Sequence, residues 1–267
     1  MKENLKDIIT QSLLDQKEIF GDELFETKNL ERKTSVHYKT EDDESKSFQV
    51  KEEIKKIKLI SDESQEEALF EEAKEDWQLA DKLDLLNKLI CNCQKCILGK
   101  TRNKFVFGSG NPDADVLVIG EGPGADEDAQ GLPFVGRAGQ LLTDILKAIK
   151  FSREEVYIAN IVKCRPPGNR TPLPAEMDSC IPYLKKQIDL IKPKVILCLG
   201  LTSAQGLLKK KDSLTNMRGK VFEFGNAKVM ITYHPAALLR NPNWKRGCWE
   251  DVQLFRKLYD DIIKNNG

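Results

Sequence analysis

Cys93-Gln94-Lys95-Cys96 sets two thiols two residues apart, and Cys164 and Cys180 lie far downstream, in segments read as loops around the second crossover. Thiolates at the two-residue spacing can grip one metal centre, while distant partners close a long chain loop. Zinc and an iron–sulfur cluster both accept four sulfurs, so the residue types alone leave the metal open. Cys164 lies in the proline-broken polar stretch Lys163-Cys164-Arg165-Pro166-Pro167, which argues against a small core residue there. Cys198, inside the apolar run Val195–Leu199, is expected in the core. Cys91 competes with Cys93, but the spacing favours Cys93 with Cys96; Cys248 receives no role.

A second cluster of polar signals begins with Gly120-Glu121-Gly122-Pro123-Gly124. Its glycines resemble a phosphate cradle, yet the Gly-Lys-Ser/Thr ending of a P-loop is missing and Glu121 would repel phosphate. A loop carrying Glu121 and then Asp126-Glu127-Asp128 suits water or a neutral base better, and its glycines let backbone amides line a pocket. Asn160 closes another apolar run, and His234, one of only two histidines, precedes Pro235. His37 lies in a charged linker and is read as inert.

These residues need elements to bring them together. Val116–Ile119, Val156–Ile161, Val195–Leu199 and Val229–Tyr233 read as buried strands. Helical patterns lie around Gly139–Lys150, Glu176–Ile191 and Ser203–Lys209, with a last helix over Gln253–Ile263. The alternation predicts an α/β fold, a central four-stranded parallel sheet flanked by helices. Ligands bind such sheets beyond the carboxyl ends of the strands. The glycine loop, Asn160 and His234 are therefore expected at one sheet edge.

The chain of 267 residues has as many basic as acidic residues, 42 of each. Residues 1–80 hold 13 basic and 22 acidic, a balance of −9, which leaves +9 on residues 81–267. An acidic N-terminal extension, mostly disordered or helical, is thus expected before a basic domain suited to a polyanion. Leu5–Phe25 has the spacing of a short amphipathic helix, Glu26 to about Asp62 reads as a flexible linker, and a helical stripe runs through Glu66–Ile90. Met1–Phe20 mixes charges with isolated apolar residues, unlike a secretory leader. No apolar run approaches the ~20 residues of a membrane span. A cytoplasmic protein without a membrane partner is expected.

The motifs from Gly120 to Gly124, Glu127-Asp128, and Gly131-Leu132-Pro133-Phe134-Val135-Gly136-Arg137-Ala138-Gly139-Gln140-Leu141-Leu142 closely resemble the family 4 uracil-DNA glycosylases. So do Asn160-Ile161-Val162-Lys163-Cys164-Arg165-Pro166-Pro167 with Asn169-Arg170, and His234 through Pro242. The resemblance runs from about Leu89 to the C-terminus, and residues 1–80 lie outside it. It implies a [4Fe–4S] cluster on Cys93, Cys96, Cys164 and Cys180, and it is this that favours iron over zinc. The implied activity is flipping of uracil from single- or double-stranded DNA and hydrolysis of its N-glycosidic bond, leaving an abasic site in base excision repair.

Site roles follow from the same resemblance. Phe134 stacks on the flipped base, and Asn160 reads the uracil edge, donating to O4 and accepting from N3–H. His234 hydrogen-bonds O2, and amides of the loop at Gly122 line the pocket. Leu238 and Leu239 form a wedge into the base stack, and Arg240 pairs with phosphate. Other branches of the superfamily place an Asp where this chain has Gly122. Glu121 and Glu127 are therefore the candidates to support the sugar and water, or to screen C5, in either order. A rival branch that forms a covalent DNA adduct carries a His-containing insertion absent from Pro166–Pro172. A non-catalytic DNA-binding module is disfavoured by Glu121, Asn160 and His234, and a nucleotide-binding enzyme by the missing basic phosphate ligand. The chain is expected to act as a monomer, and the extension is left without an assigned partner.

Overall fold

The computed structural model describes residues 75–265; the expected helix over Leu5–Phe25 and the linker after it lie outside the described residues. The helices are α1 Leu83–Ile90, α2 Leu98–Thr101, α3 Ala125–Gln130, α4 Arg137–Ala148, α5 Pro174–Ile191, α6 Leu201–Leu208, α7 Leu214–Met217, α8 Pro235–Arg240 and α9 Lys245–Asn265. The strands are β1 Ser109–Gly110, β2 Val116–Gly120, β3 Tyr157–Asn160, β4 Val195–Leu199, β5 Phe222–Phe224 and β6 Ala227–Thr232. They form one sheet in the order β1-β3-β2-β4-β6-β5.

The expected strands make the parallel centre of this sheet, β3-β2-β4-β6. Every residue of β2, β3 and β4 is buried, as continuous apolar runs covered on both faces require. One apolar cluster includes Leu117, Ile119, Leu184 and Ile196. The other joins Val118, Leu142, Leu197, Val252 and Phe255, so neighbouring residues of one strand belong to different clusters.

The expectation of four parallel strands needs correction: the sheet has six strands and is mixed. β1 pairs antiparallel with β3 and β5 antiparallel with β6, one at each edge. Two- and three-residue strands are too short to show a period. β5 is nonetheless half of a hairpin, since Phe224 faces Ala227 across Gly225-Asn226 and Gly225 takes a positive φ of 56°. The helical stripe before Cys91 also needs correction. A 3-10 turn at Asp76–Leu79 ends at Ala80, and α1 starts only at Leu83. Leu83, Leu86 and Ile90 are buried, whereas Leu79 and Leu89 face solvent. The last helix begins earlier than expected, at Lys245, and buries Cys248, Asp251, Val252 and Phe255. Cys180 is on α5 rather than in a loop. No described helix is long and apolar enough to cross a membrane.

Candidate active site

Gly120 and Asn160 end β2 and β3 as register partners. A Cβ at Gly120 would stand 2.4 Å from Oδ1 of Asn160 and 2.6 Å from the Phe134 ring. Glycine is thus what lets an amide and an aromatic ring reach the same point. Asn160 is 2% exposed, and its Oδ1 is buried without a hydrogen-bond partner. An orphaned acceptor of this kind costs about 1–3 kcal/mol, a cost that a donor on a bound ligand would remove.

Phe134 has φ +54°, a left-handed conformation that strains a bulky residue by about 1–3 kcal/mol and persists only when its surroundings enforce it. Arg153 donates through Nη1 to the Phe134 carbonyl (3.0 Å) and through Nη2 to that of Pro133 (2.9 Å). Oε1 of Glu127 accepts from the amides of Val135 (2.9 Å) and Gly136 (3.1 Å). Gly139 leaves room for the turn, since a Cβ there would fall 1.9 Å from the Phe134 carbonyl oxygen.

His234 follows β6 as the N-cap of α8, and its Nδ1 accepts from the amide of Ala236 (3.2 Å). Burial, aided by the charge of Arg240 and opposed by Glu127, pushes its pKa down to about 4. The ring is therefore neutral near pH 7 and carries its proton on Nε2. Its centroid lies 5.6 Å from that of Phe134, with the rings tilted by 32°.

Glu121, Gly122, Glu127, Phe134, Asn160, His234 and Arg240 border one cleft of about 380 Å³. The two carboxylates differ in their bonding. Glu127 also accepts from the amide of Gly124 (3.1 Å), so three backbone donors hold it as a brace. Glu121 makes no side-chain hydrogen bond among the described residues, which leaves its carboxylate available to a ligand. The acidic run after it does not act together: Asp126 is exposed, and Asp128 is 1% exposed and bound to Asn103 through N (2.9 Å) and Nδ2 (2.7 Å). The two leucines also separate, Leu238 lying in the core and Leu239 being exposed.

Some residues at the cleft received no site role from the sequence, although most of them lie in its motifs. Pro166, Asn169, Arg170 and Thr171 also border it. Arg170 makes a two-pronged pair with Glu176 (2.8 and 2.6 Å), and Glu176 takes the amide of Leu173 as well (2.7 Å). The turn-forming run Pro166-Pro167-Gly168-Asn169 was the available signal. Nothing near Arg153 in the sequence marks it as the brace of Phe134.

The four cysteines belong with the apolar cluster of Leu117 and Ile119, whereas Phe134 belongs to the other. Cys164 and Cys180 are buried, and burial pushes both thiol pKa values up, that of Cys180 to about 12; Arg102 opposes this at Cys164 and Lys163 at Cys180, while neighbouring cysteines add to it. Among the described residues no group of three or more His, Cys, Asp or Glu side chains is arranged to hold a metal ion. The donors around the sulfurs fit anionic ligands. Arg102 donates to Cys164 Sγ (3.2 Å) and also to the carbonyls of Cys93 and Cys91. The Lys163 amide reaches Cys180 Sγ (3.3 Å), while the Tyr183 hydroxyl and the Lys95 amide each reach Cys93 Sγ (3.4 Å). Lys163 is fully buried, and among the described residues its ammonium meets only the carbonyl of Asn160 and the side-chain oxygen of Gln187. Burial pushes its pKa down to about 8, against the opposing influence of Cys180 and Cys164. A buried ammonium without a carboxylate calls for anionic sulfur beside it. The four thiols therefore fit a thiolate-bound cluster by the chemistry of their surroundings.

The Uracil DNA glycosylase superfamily profile matches residues 107–258. A type-4 uracil-DNA glycosylase of Thermotoga maritima is 45% identical over 189 residues, 69% of this chain and 96% of the relative. Those of Archaeoglobus fulgidus and Pyrobaculum aerophilum are also 45% identical, over 186 and 181 residues. These alignments cover 67% and 65% of this chain, and 94% and 92% of the relatives.

Proposed function

Because the chain belongs to the uracil-DNA glycosylase superfamily, in its type-4 branch, we propose a mechanism in which the cleft at Asn160 hydrolyses the N-glycosidic bond of uracil in DNA. The enzyme is a uracil-DNA glycosylase, and its reaction removes uracil in DNA repair. The observation that carries the assignment of the cleft is the unpartnered Oδ1 of Asn160 beside the Phe134 ring.

In this reading the uracil lies on Phe134 with its N3–H donated to Asn160 Oδ1, while the Asn160 amide donates to O4. Cytosine offers a lone pair at N3 and a donor at C4, which leaves both Asn160 groups mispaired. As the C1′–N1 bond breaks, its electrons pass to the base and spread onto O2, where the Nε2–H of neutral His234 meets them. A pre-aimed donor at a developing charge is the largest contribution such a site makes. Water attacks C1′ and gives up a proton, and Glu121 is the carboxylate free to receive it. Glu127, committed to three amides, holds the Phe134 loop. Leu239 fills the gap left by the base, Leu238 anchors it from the core, and Arg240 takes a flanking phosphate.

Cys93, Cys96, Cys164 and Cys180 would hold a [4Fe–4S] cluster, which when bound supplies a rigid cross-link between distant segments. Lys163 connects that site with the base-reading strand by donating to the Asn160 carbonyl (3.0 Å). The further proposals are a monomer acting on single- and double-stranded DNA in the cytoplasm, and a catalytic domain over 81–267 after an acidic extension of 1–80. Trp77 and Ala80 nevertheless belong with the core cluster. An oligonucleotide with one uracil, incubated with the holoenzyme and then with alkali, tests the reaction. Scission at the uracil supports it, and an intact strand at equimolar protein refutes it.

A further inference from the structure

Trp244 is 42% exposed, yet it is held with unusual firmness. It belongs to a short 3-10 turn, Pro242–Trp244, and its amide donates to the Asn241 carbonyl (3.1 Å). Its ring stacks on Tyr233 at 5.1 Å between centroids with 17° between planes. The guanidinium of Arg218 covers the Tyr233 ring at 4.0 Å and donates to the Tyr233 hydroxyl (2.8 Å). Arg218 is itself fixed by Asp251 (2.7 Å), which also takes the Thr232 hydroxyl (2.7 Å). Gly247 leaves space for this arrangement, because a Cβ there would strike Arg218 Nη2 at 2.6 Å.

A guanidinium, a phenol and an indole are thus layered from the core outward. The stack covers one face of the indole, and the residue remains exposed to solvent. An aromatic left in water merely by chance would not need a part-buried ion pair to fix its partner. The position is also informative. Tyr233 immediately precedes His234, and Trp244 comes four residues after Arg240, which borders the cleft. Between Arg240 and Trp244 the chain carries no acidic residue, and Lys245 and Arg246 follow directly. Arg246 is paired with Glu250 (3.2 Å), so Arg240 and Lys245 are the flanking cations that suit a strand of phosphates.

We propose that Trp244 is a preorganised stacking platform for an unpaired base of the DNA strand, outside the uracil cleft and additional to it. The proposal rests on DNA being the substrate, as set out above. In a duplex, base faces are buried against their neighbours, whereas in a single strand they are open. The platform therefore favours single-stranded uracil DNA.

Equilibrium binding of the holoenzyme tests it, with a fluorescein-labelled strand carrying 2′-fluoro-2′-deoxyuridine, which resists cleavage, used alone and annealed to its complement. Trp244→Ala is expected to weaken single-strand binding by about 10-fold, the scale for losing one base–aromatic stack. It is expected to change duplex binding by less than about twofold, and Trp244→Phe to recover most of the loss. Trp249→Ala removes an equally exposed indole from α9 and is expected to leave both affinities intact. Single-strand affinity unchanged in Trp244→Ala, an equal loss on duplex, or an equal loss in Trp249→Ala overturns the platform. Wild-type cleavage of an ordinary uracil strand is measured in parallel. Its absence strikes the catalytic reading alone, because the binding comparison does not depend on turnover.

Discussion

Gly120 and Asn160 face each other across two parallel strands so closely that a single methyl group on the former would lie 2.4 Å from Oδ1 of the latter. In the proposed mechanism, base reading depends on that missing atom. Gly120→Ala should therefore displace the Asn160 amide and the Phe134 ring together. Single-turnover excision of uracil is expected to slow by at least ~10²-fold, the scale for misplacing a reacting partner by an ångström. Far-ultraviolet circular dichroism should be unchanged. Near-normal excision would show that the amide need not stand where it does.

In the proposed mechanism His234 acts as a neutral donor, so its pH dependence has a defined sign. Its pKa is pushed down to about 4, mainly by burial. The pH profile of kcat/KM should show no inflection from this group near 6.5, and should fall only as the pH approaches 4. Stability follows the same window. Between the ordinary value near 6.5 and about 4 the unfolded chain takes up a proton that the folded one refuses, so stability declines as pH falls through that range. His234→Ala is expected to cost at least ~10²-fold in excision rate. A profile with an inflection near 6.5 that His234→Ala removes would mean that the charged ring does the work.

The left-handed Phe134 depends on Arg153, which holds the carbonyls of Pro133 and Phe134. Arg153→Ala should let the loop relax and the ring leave the cleft. Inhibition by free uracil is expected to weaken by about tenfold, while Tm falls by only roughly 2–6 °C. Unchanged uracil inhibition would remove Arg153 from the positioning of the base.

Protein purified without oxygen should be brown, with absorbance near ~400 nm from thiolate-bound iron. Lys163→Met takes a buried ammonium away from Cys164 and Cys180 and should lower iron retention during dialysis against a chelator. Colourless protein with stoichiometric zinc would reassign the cysteines, and full iron retention in Lys163→Met would show that the ammonium does not balance their charge.

The centre of the fold was legible because parallel strands buried on both faces leave continuous apolar runs, as in Val195–Leu199. The edge strands were not, since Ser109–Gly110 is too short to show a period and Phe222–Phe224 is visible only through its partner. The break after Leu79 was hidden by leucines that keep helical spacing while facing water. The glycine loop, Asn160 and His234 border one cleft, as their places at the ends of β2, β3 and β6 led us to expect. The bracing was illegible. Arg153, Asp128 and Lys163 act through side-chain geometry between distant segments, and one charged residue among 84 has no local mark.

The most direct test is the release of free base under multiple turnover, from strands that carry uracil, cytosine or thymine at one position. The account predicts several uracils released per enzyme molecule, with cytosine and thymine retained, and loss of uracil release in His234→Ala. Release of cytosine or thymine at a comparable rate, or none of uracil, would contradict it.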